Sequence, residues 1–303
     1  MKICFIAPGE IEIPPKGWGA LETVLWSQFK ALEKLGEDVY FINEKNTQLT
    51  HQKILEINPD VVHLHYGKHW EIMPLIKCKK IITTHDGSFL QSIQFHETLI
   101  RNFFYDCRFF VLTSHEKKLL LRIGISPNNI KTLPNGVDFD MFKKSEKADY
   151  PNKSICLGKI DKRKRQSILQ KQSEDVIFVG ECCDPEFNKN SNYLGSWDRE
   201  LVYENLTKYA NFVLLSSSEL QPLVCLEALS SGLGLVISEA CIENLDISKN
   251  FITVIPDNKL NDNLYIQEKI KQNQKISIDS RKEILEYARE FDWINIGKKW
   301  LKN

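Results

Sequence analysis

Two glutamates, Glu219 and Glu227, stand seven residues apart in a stretch that is otherwise largely apolar. Glu219 follows the apolar run Phe212 to Leu215, whose length and composition are typical of a buried strand. Glu227 lies about one turn inside a helix predicted over Leu223 to Ser230. Ligands of an open α/β sheet bind beyond the carboxyl ends of its strands. We therefore expect both carboxylates to face a ligand cleft; the alternative for each is a helix-capping or surface glutamate.

A basic cluster follows the first predicted strand of the second half. Lys159 comes just after that strand, and the run Lys162, Arg163, Lys164 and Arg165 opens the next predicted helix. Lysines at the positive end of a helix dipole make an anion site. A functional role is favoured for Lys159, whereas a solvated helix face is favoured for Arg163 and Arg165.

Three histidines form a second group of candidates. His85 ends an apolar strand beside a turn glycine, which favours a site role over a purely structural one. His63 and His65 share one strand face at a spacing that a metal could use, but the sequence offers no third ligand at suitable spacing. We interpret this pair as structural, and leave open that His65 reaches a cleft.

Short apolar runs alternate with helical periodicity along the whole chain, which predicts βαβ units and parallel sheets. The predicted strands are Ile3 to Ala7, Val39 to Ile42, Val61 to Leu64, Ile81 to Thr84 and Phe109 to Thr113 in a first series, and Ser154 to Leu157, Val176 to Val179, Phe212 to Leu215, Leu235 to Ile237 and Phe251 to Ile255 in a second. The charged stretch from Lys143 to Lys153 separates the two series. A chain of 303 residues also points to two domains at about 150 residues each.

Composition limits the classes of function. The 40 basic and 40 acidic residues cancel, so no whole-molecule field attracts nucleic acid or anionic lipid. The eight cysteines show no C-x-x-C spacing and are interpreted as free thiols in a reducing compartment. No signal-peptide pattern and no apolar run of about 20 residues is present. We expect a soluble, cytoplasmic protein, with docking to a membrane face left open.

The segment around the two glutamates resembles the E-x7-E motif of glycosyltransferase family 4, whose members are retaining glycosyltransferases with the GT-B fold. Other segments that resemble the family follow in its order across nearly the whole chain. They are residues 2–8, 16–22, 60–65, 84–87, 133–138, 157–166 and 291–300. The resemblance implies an α/β fold with two Rossmann-like domains facing a central cleft and a C-terminal helix that crosses back to the first domain.

The resemblance also implies a domain division. Residues 1–143 would form an N-terminal Rossmann-like domain on the acceptor side, and residues 144–288 a C-terminal Rossmann-like domain that binds the nucleotide-sugar. Residues 289–303 would form a helix that packs back on the N-terminal domain.

By resemblance, Glu219, His85 and Lys159 are the catalytic candidates. Glu219 would lie against the donor sugar, and His85 would contact that sugar and line the acceptor side. Glu227 would accept hydrogen bonds from the ribose hydroxyls. Lys159 and Lys164 would hold the diphosphate, although the family places an arginine at the first of these positions.

The remaining donor-binding candidates are backbone positions. Gly17 and Gly19 would let amides approach the diphosphate from the other domain, with an ordinary turn as the alternative. Leu223 and Val224 would complete the donor site at the start of the predicted helix. Between the two glutamates the family usually has Gly-Phe-Gly, whereas this chain has residues 220–222 as Leu-Gln-Pro. That departure removes a backbone donor at the proline and leaves the sugar preference open.

The activity implied is a metal-independent, retaining transfer of a sugar, of hexosyltransferase type. The donor would be a UDP-, GDP- or ADP-sugar bound as substrate, without a cofactor, and the acceptor a glycan, a lipid or a small molecule. Asp138 and Asp140 form the D-x-D signature with which the other large glycosyltransferase architecture binds a metal, but the preceding Asn-Gly predicts a turn. The alternatives are a nucleotide-sugar epimerase or hydrolase of the same architecture, and a catalytically weak subunit that binds sugar nucleotides. The oligomeric state stays open.

Overall fold

The protein is described from a computed structural model, which covers residues 1–16, 19–85, 98, 103–190 and 192–303. The chain divides into two compact units. Unit 1 consists of Met1–Gly136 and Trp293–Asn303, and unit 2 of Val137–Asp292. Each unit contains one parallel sheet with helices, so the predicted α/β fold class is confirmed.

Eleven strands are found among the described residues. They are β1 Lys2–Ala7, β2 Asp38–Asn43, β3 Val61–His65, β4 Lys79–Thr83, β5 Arg108–Val111, β6 Ile130–Thr132, β7 Tyr150–Leu157, β8 Val176–Val179, β9 Tyr209–Leu214, β10 Gly234–Ser238 and β11 Ile252–Ile255. Their order is β2-β1-β3-β4-β5-β6 in unit 1 and β11-β10-β9-β7-β8 in unit 2. Central strands such as β9 are buried at every position, as expected for parallel sheets covered on both faces.

Nine α-helices are present in the described part of the chain. They are α1 Ala20–Lys34, α2 Thr47–Ile57, α3 Ser114–Arg122, α4 Gln166–Gln172, α5 Arg199–Asn205, α6 Leu223–Ser230, α7 Asn263–Asp279, α8 Arg281–Ala288 and α9 Trp293–Lys302. The bounds of α6 are those predicted from the sequence. None of these helices combines the length and the apolar character that a membrane crossing requires.

Helix α9 returns to unit 1 and packs against α1. A Cβ on Gly297 would lie 2.9 Å from Leu35 Cδ1, so the glycine permits the close approach of the two segments. Trp300 is 2% exposed and meets the ring of Phe5 edge-on. Burial of the indole on the first sheet anchors this helix.

The strand predictions were incomplete in two places. β6 was missed, because three residues at the edge of a sheet are too few to show a period. β7 begins at Tyr150, inside the stretch expected to be a connection, where the Tyr150 ring lies 5.3 Å from the ring of Tyr209 on the neighbouring strand. Cross-strand packing of the aromatic pair extends β7 into a polar segment.

Candidate active site

The candidate site of unit 2 lies where β7 and β9 end at one edge of the sheet. These strands are parallel neighbours, so the loops that follow them leave the same edge. The loop after β7 carries Lys159 and the 3₁₀ turn Lys162–Lys164. The loop after β9 carries Glu219 and leads into α6, which holds Glu227.

One oxygen of Glu219 is held by three neighbours. Its Oε1 accepts a hydrogen bond from Ser216 Oγ at 2.9 Å and pairs with Arg163 Nη1 at 2.7 Å and Lys164 Nζ at 3.9 Å. The side chain is 13% exposed. Among the described residues Oε2 has no partner, and it is not sealed from solvent. One oxygen therefore fixes the carboxylate and the other stays open to a ligand.

The sequence favoured a solvated helix face for Arg163, and the structure differs from that prediction. Arg163 belongs to the 3₁₀ turn Lys162–Lys164, which is joined to the loop after β9. Ser217 N donates to the Arg163 carbonyl at 2.8 Å, and Arg163 Nη1 donates to the Ser218 carbonyl at 2.6 Å. These contacts hold the half-exposed guanidinium beside Glu219.

Lys159 and Lys164 occupy different environments. The Lys164 side chain is 12% exposed, and its Nζ lies 2.8 Å from where a Cβ on Gly158 would stand. A glycine at this position, with φ at +133°, therefore makes room for the ammonium at the end of β7. Lys159 is exposed, and within the described residues no carboxylate pairs with it. Its carbonyl accepts from Gln166 Nε2 at 2.9 Å, so the backbone is held while the ammonium can reach a ligand.

Glu227 is anchored by Arg199, at the start of α5. Arg199 Nη1 lies 2.5 Å from Glu227 Oε1, and its Nε and Nη2 donate to Tyr203 Oη at 3.3 and 3.2 Å. Burial, the largest single influence, lowers the pKa of the Arg199 guanidinium, but the charges and hydrogen bonds of Glu227 and Tyr203 together outweigh it and raise that pKa. Glu227 Oε2 has no partner in the part of the chain that the structure describes, and it too is not sealed from solvent. Each glutamate thus uses Oε1 internally and leaves Oε2 open.

Sequence reasoning missed Arg199. Its partner stands 28 residues further along the chain, a separation that no helical or strand period encodes. The local pattern, an N-cap Asp198 followed by charged residues, is that of any surface helix.

The start of α6 presents backbone donors to the same edge. Pro222 is the N-cap and brings no side-chain cap, and Leu223 and Val224 are the first two helical residues. The first N–H groups of a helix have no partner within the helix. These amides can therefore receive an anionic group.

Cysteines beneath the site are not reactive candidates. All eight cysteines of the chain are free thiols, as expected. Burial raises the pKa of Cys156 to about 12 and that of Cys241 to about 11. Both thiols therefore stay protonated at neutral pH, and the thiolate is the reactive form.

Unit 1 holds a row of three histidines, two of them on β3 and the third just beyond β4. His63 Nε2 lies 2.9 Å from Thr83 Oγ1, and Trp300 Nε1 donates to His63 Nδ1 at 3.2 Å. His65 Nδ1 lies 3.0 Å from His85 Nε2. The buried contacts of His63 agree with the structural role predicted for it, whereas the contact between His65 and His85 was not predicted.

All three imidazoles are neutral at physiological pH. Burial lowers the pKa of His85 to about 4. Burial, followed by the neighbouring histidines, holds the pKa values of His63 and His65 well below 6.5. The row is therefore a set of neutral donors and acceptors rather than a cationic site.

The glycine loop is described only in part, since Gly17 lies outside the described residues. Gly19 is the N-cap of α1, and its carbonyl accepts from Thr23 N at 2.9 Å. A Cβ on Gly19 would lie 2.9 Å from Pro15 Cβ and 3.1 Å from Glu22 Oε2. A side chain at this position would therefore clash with Pro15, which precedes the helix.

The possible metal ligands do not assemble. Asp138 and Asp140 lie at a 3₁₀ turn, Phe139–Met141, where Met141 N donates to the Asp138 carbonyl at 3.0 Å. Among the residues that the structure describes, no three His, Cys, Asp or Glu side chains form a group that could hold a metal ion.

Comparison with known proteins bears on both the fold and the family. Residues 45–141 match the sequence model of Glycosyltransferase Family 4. No curated protein matches the chain. A sucrose-phosphate synthase from Thermosynechococcus elongatus aligns with a TM-score of 0.73 at 13% identity, over 99% of this chain and 97% of that one. The lipopolysaccharide outer core galactosyltransferase WaaB aligns at 0.72 and 16% identity, over 100% and 98%. HepE from Anabaena, in complex with UDP-glucose, aligns at 0.67 and 14% identity, over 100% and 98%.

Two Rossmann-like units that align over their full length with such structures define the fold class, that of the GT-B glycosyltransferases. The match over residues 45–141 confirms, within that class, the resemblance to glycosyltransferase family 4.

Proposed function

We propose that this protein transfers a sugar, with retention of anomeric configuration and without a metal, from a nucleotide-sugar to a glycan, lipid or small-molecule acceptor. Unit 2 binds the donor, and unit 1 provides the acceptor side with His85 against the sugar. The hexosyl group is the sugar class expected, and a reducing cytoplasm, in solution or at a membrane face, is the expected setting.

One observation carries the proposal: two carboxylates on one sheet edge are each fixed through Oε1 by an arginine and open at Oε2. Ribose offers two neighbouring hydroxyl donors, which an open carboxylate oxygen on a rigid helix can accept. Glu227 takes that role. Glu219 lies beside the lysines and so stands where the sugar joins the diphosphate.

The diphosphate is received by cations and backbone amides. Lys159 and Lys164 supply charge, and the N-terminus of α6 supplies the Leu223 and Val224 amides together with the positive end of its dipole. Negative charge grows on the leaving phosphate as the sugar bond breaks, so fixed charges here act mainly on the transition state. The UDP-glucose complex of HepE supports UDP as the first nucleotide to test.

A screen of UDP-, GDP- and ADP-sugars by thermal shift tests donor binding. A ligand at a hundred times its dissociation constant stabilises the folded state by about 2.7 kcal/mol, which moves the melting temperature measurably. We expect one nucleotide series to stabilise the protein, and nucleotide to be released from it only when acceptor is added. Release without acceptor would indicate a hydrolase, and binding without any turnover would indicate the binding subunit.

Two further measurements test the type of transfer. Proton NMR of the new glycosidic bond should show the donor's anomeric configuration, and an inverted product would refute retention. Activity should survive exhaustive EDTA. Loss with EDTA and recovery on adding Mg²⁺ or Mn²⁺ would refute metal independence and return attention to Asp138 and Asp140.

A further inference from the structure

In the row formed by His63, His65 and His85, the surrounding hydrogen bonds decide whether His65 Nε2 carries a proton. His65 is 1% exposed, and its Nε2 has no partner among the described residues. Its Nδ1 faces His85 Nε2 at 3.0 Å. We propose that His65 is a positioning residue that donates from Nδ1 to His85 and so holds His85 in the tautomer with its proton on Nδ1. The role of that proton rests on the proposed function, in which His85 contacts the donor sugar.

The tautomer of the neighbouring His63 ring is set by partners other than His65. An indole N–H only donates, so Trp300 makes His63 Nδ1 an acceptor. The proton of the neutral His63 ring is then on Nε2, where it is donated to Thr83 Oγ1 at 2.9 Å. His63 is therefore committed to its own partners, although its ring centroid lies only 3.8 Å from that of His65.

Two arrangements remain for the pair His65 and His85, since only one proton fits between the two nitrogens. If His85 donated, His65 would carry its own proton on Nε2, as a buried N–H without an acceptor. If His65 donates, its Nε2 is a bare nitrogen in the same place. Unpaired buried N–H groups are the rarer defect in folded proteins, and each costs the desolvation of a donor. The second arrangement is favoured, and it leaves the His85 proton on Nδ1.

The backbone at His85 adopts an uncommon conformation. His85 stands two residues after the end of β4 and has φ of 45°, in the left-handed region. Non-glycine residues held in this region are strained and cluster at functional sites. With its Nε2 bound to His65, the ring can offer only Nδ1–H to a ligand. A sugar hydroxyl or phosphate oxygen, as an acceptor, suits that donor.

The tautomer can be read directly by two-bond ¹H–¹⁵N correlation NMR on histidine-labelled protein, without any substrate. We expect His85 to show a protonated Nδ1 and a bare Nε2. His65→Asn keeps an N–H donor at the same number of bonds from the backbone and should preserve that pattern. His65→Leu removes the donor, so a species protonated on Nε2 should appear. Trp300→Phe is the matched control, because it releases His63 and should leave His85 unchanged.

Activity then tests the use of the proton. His65→Leu should lower kcat/KM by about 10- to 100-fold, the range typical for loss of a hydrogen bond that orients a functional histidine. His65→Asn should retain most of the wild-type kcat/KM. A wild-type His85 protonated on Nε2, or a His65→Leu spectrum identical to wild type, would overturn the proposal. A changed tautomer with unchanged kcat/KM would overturn the positioning role alone. Absence of transferase activity in the wild type would refute the proposed function but leave the tautomer assignment to the spectra.

Discussion

The two sheet edges carry opposite kinds of chemistry. The edge of unit 2 holds formal charges, two glutamates paired with two half-exposed arginines. The edge of unit 1 holds neutral imidazoles that are packed against aromatic rings. All seven histidines of the chain precede residue 137, so unit 2 contains none.

This difference follows from desolvation. A charge at a water-accessible edge keeps part of its hydration and can exchange a protein partner for an anionic ligand at modest cost. A charge in the buried row would lose that hydration, so the histidines are neutral and act through the direction of their hydrogen bonds. This difference supports the proposed roles, in which unit 2 holds a charged nucleotide and unit 1 orients an uncharged group.

The largest expected effect comes from removing the charge of Glu219, which the proposed function places against the sugar. Glu219→Gln keeps the shape of the side chain but breaks its ion pairs with Arg163 and Lys164, and turnover should fall by about 100- to 1,000-fold. Affinity for the free nucleotide, measured by calorimetry, should change little. Glu204→Gln, on an exposed ion pair with Lys143, is the control and should retain full activity. Equal losses of turnover and of nucleotide affinity would make Glu219 structural.

A smaller loss is expected at the phosphate side. Lys159→Ala should lower kcat by about 100-fold with a weaker effect on KM, because the ammonium acts on charge that develops in the transition state. Lys162→Ala is matched to it, since this exposed lysine follows the same strand but pairs with Glu186 at 3.4 Å. Steady-state kinetics of both variants decide the matter. A defect confined to KM would assign Lys159 to ground-state binding only.

Substitution of Glu227, the residue proposed to bind the ribose, should affect nucleotide affinity rather than turnover. Glu227→Ala removes the open acceptor, and loss of charge-assisted hydrogen bonds worth about 1.5 to 3 kcal/mol weakens nucleotide affinity by about 10- to 100-fold. Titration calorimetry with the nucleoside diphosphate measures this. Glu200→Gln, an exposed glutamate beside Arg199, should bind like wild type. Unchanged affinity in Glu227→Ala would reject the ribose assignment.

The smallest expected effect is a loss of folding stability at low pH, which should arise in unit 1. In the unfolded chain histidine takes up a proton near pH 6.5, whereas in the fold His85 does so only at about pH 4 and His63 and His65 well below 6.5. The unfolded state therefore binds more protons in this window, so the stabilisation is complete above pH 6.5 and is lost as pH falls toward 4. We expect the unfolding temperature to drop by about 5 °C between pH 7 and pH 5.

Amide hydrogen exchange shows which unit loses stability at low pH. After correction for intrinsic rates, amides of β3 and β4 should lose protection at pH 5, and amides of β9 and β10 should not. Equal loss in both units would show that acid acts through carboxylates shared by the whole chain instead of through the histidine row.

Much of this arrangement was predictable from local pattern. The apolar runs placed ten of the strands, and the alternation of strand and helix placed the carboxyl ends where Glu219 and His85 lie. The bounds of α6 followed from an apolar segment that begins after a proline, which supplies a start signal. These features depend on residues within one turn or one strand of each other, a range over which periodicity is informative.

Partners across the fold were not predictable in the same way. Arg163 reaches the loop after β9 across 55 residues, Arg199 reaches Glu227 across 28, and His65 meets His85 across 20. Each contact exists because parallel strands end at one edge and bring unrelated loops together, and β6 exists only because β5 offers it an edge to pair with. The sequence by itself determined which residues carry charge, which strands hold them and which helix follows. Tertiary packing alone decided which oxygen of each glutamate is occupied and which histidine nitrogen faces another, since both depend on distances that no single segment contains.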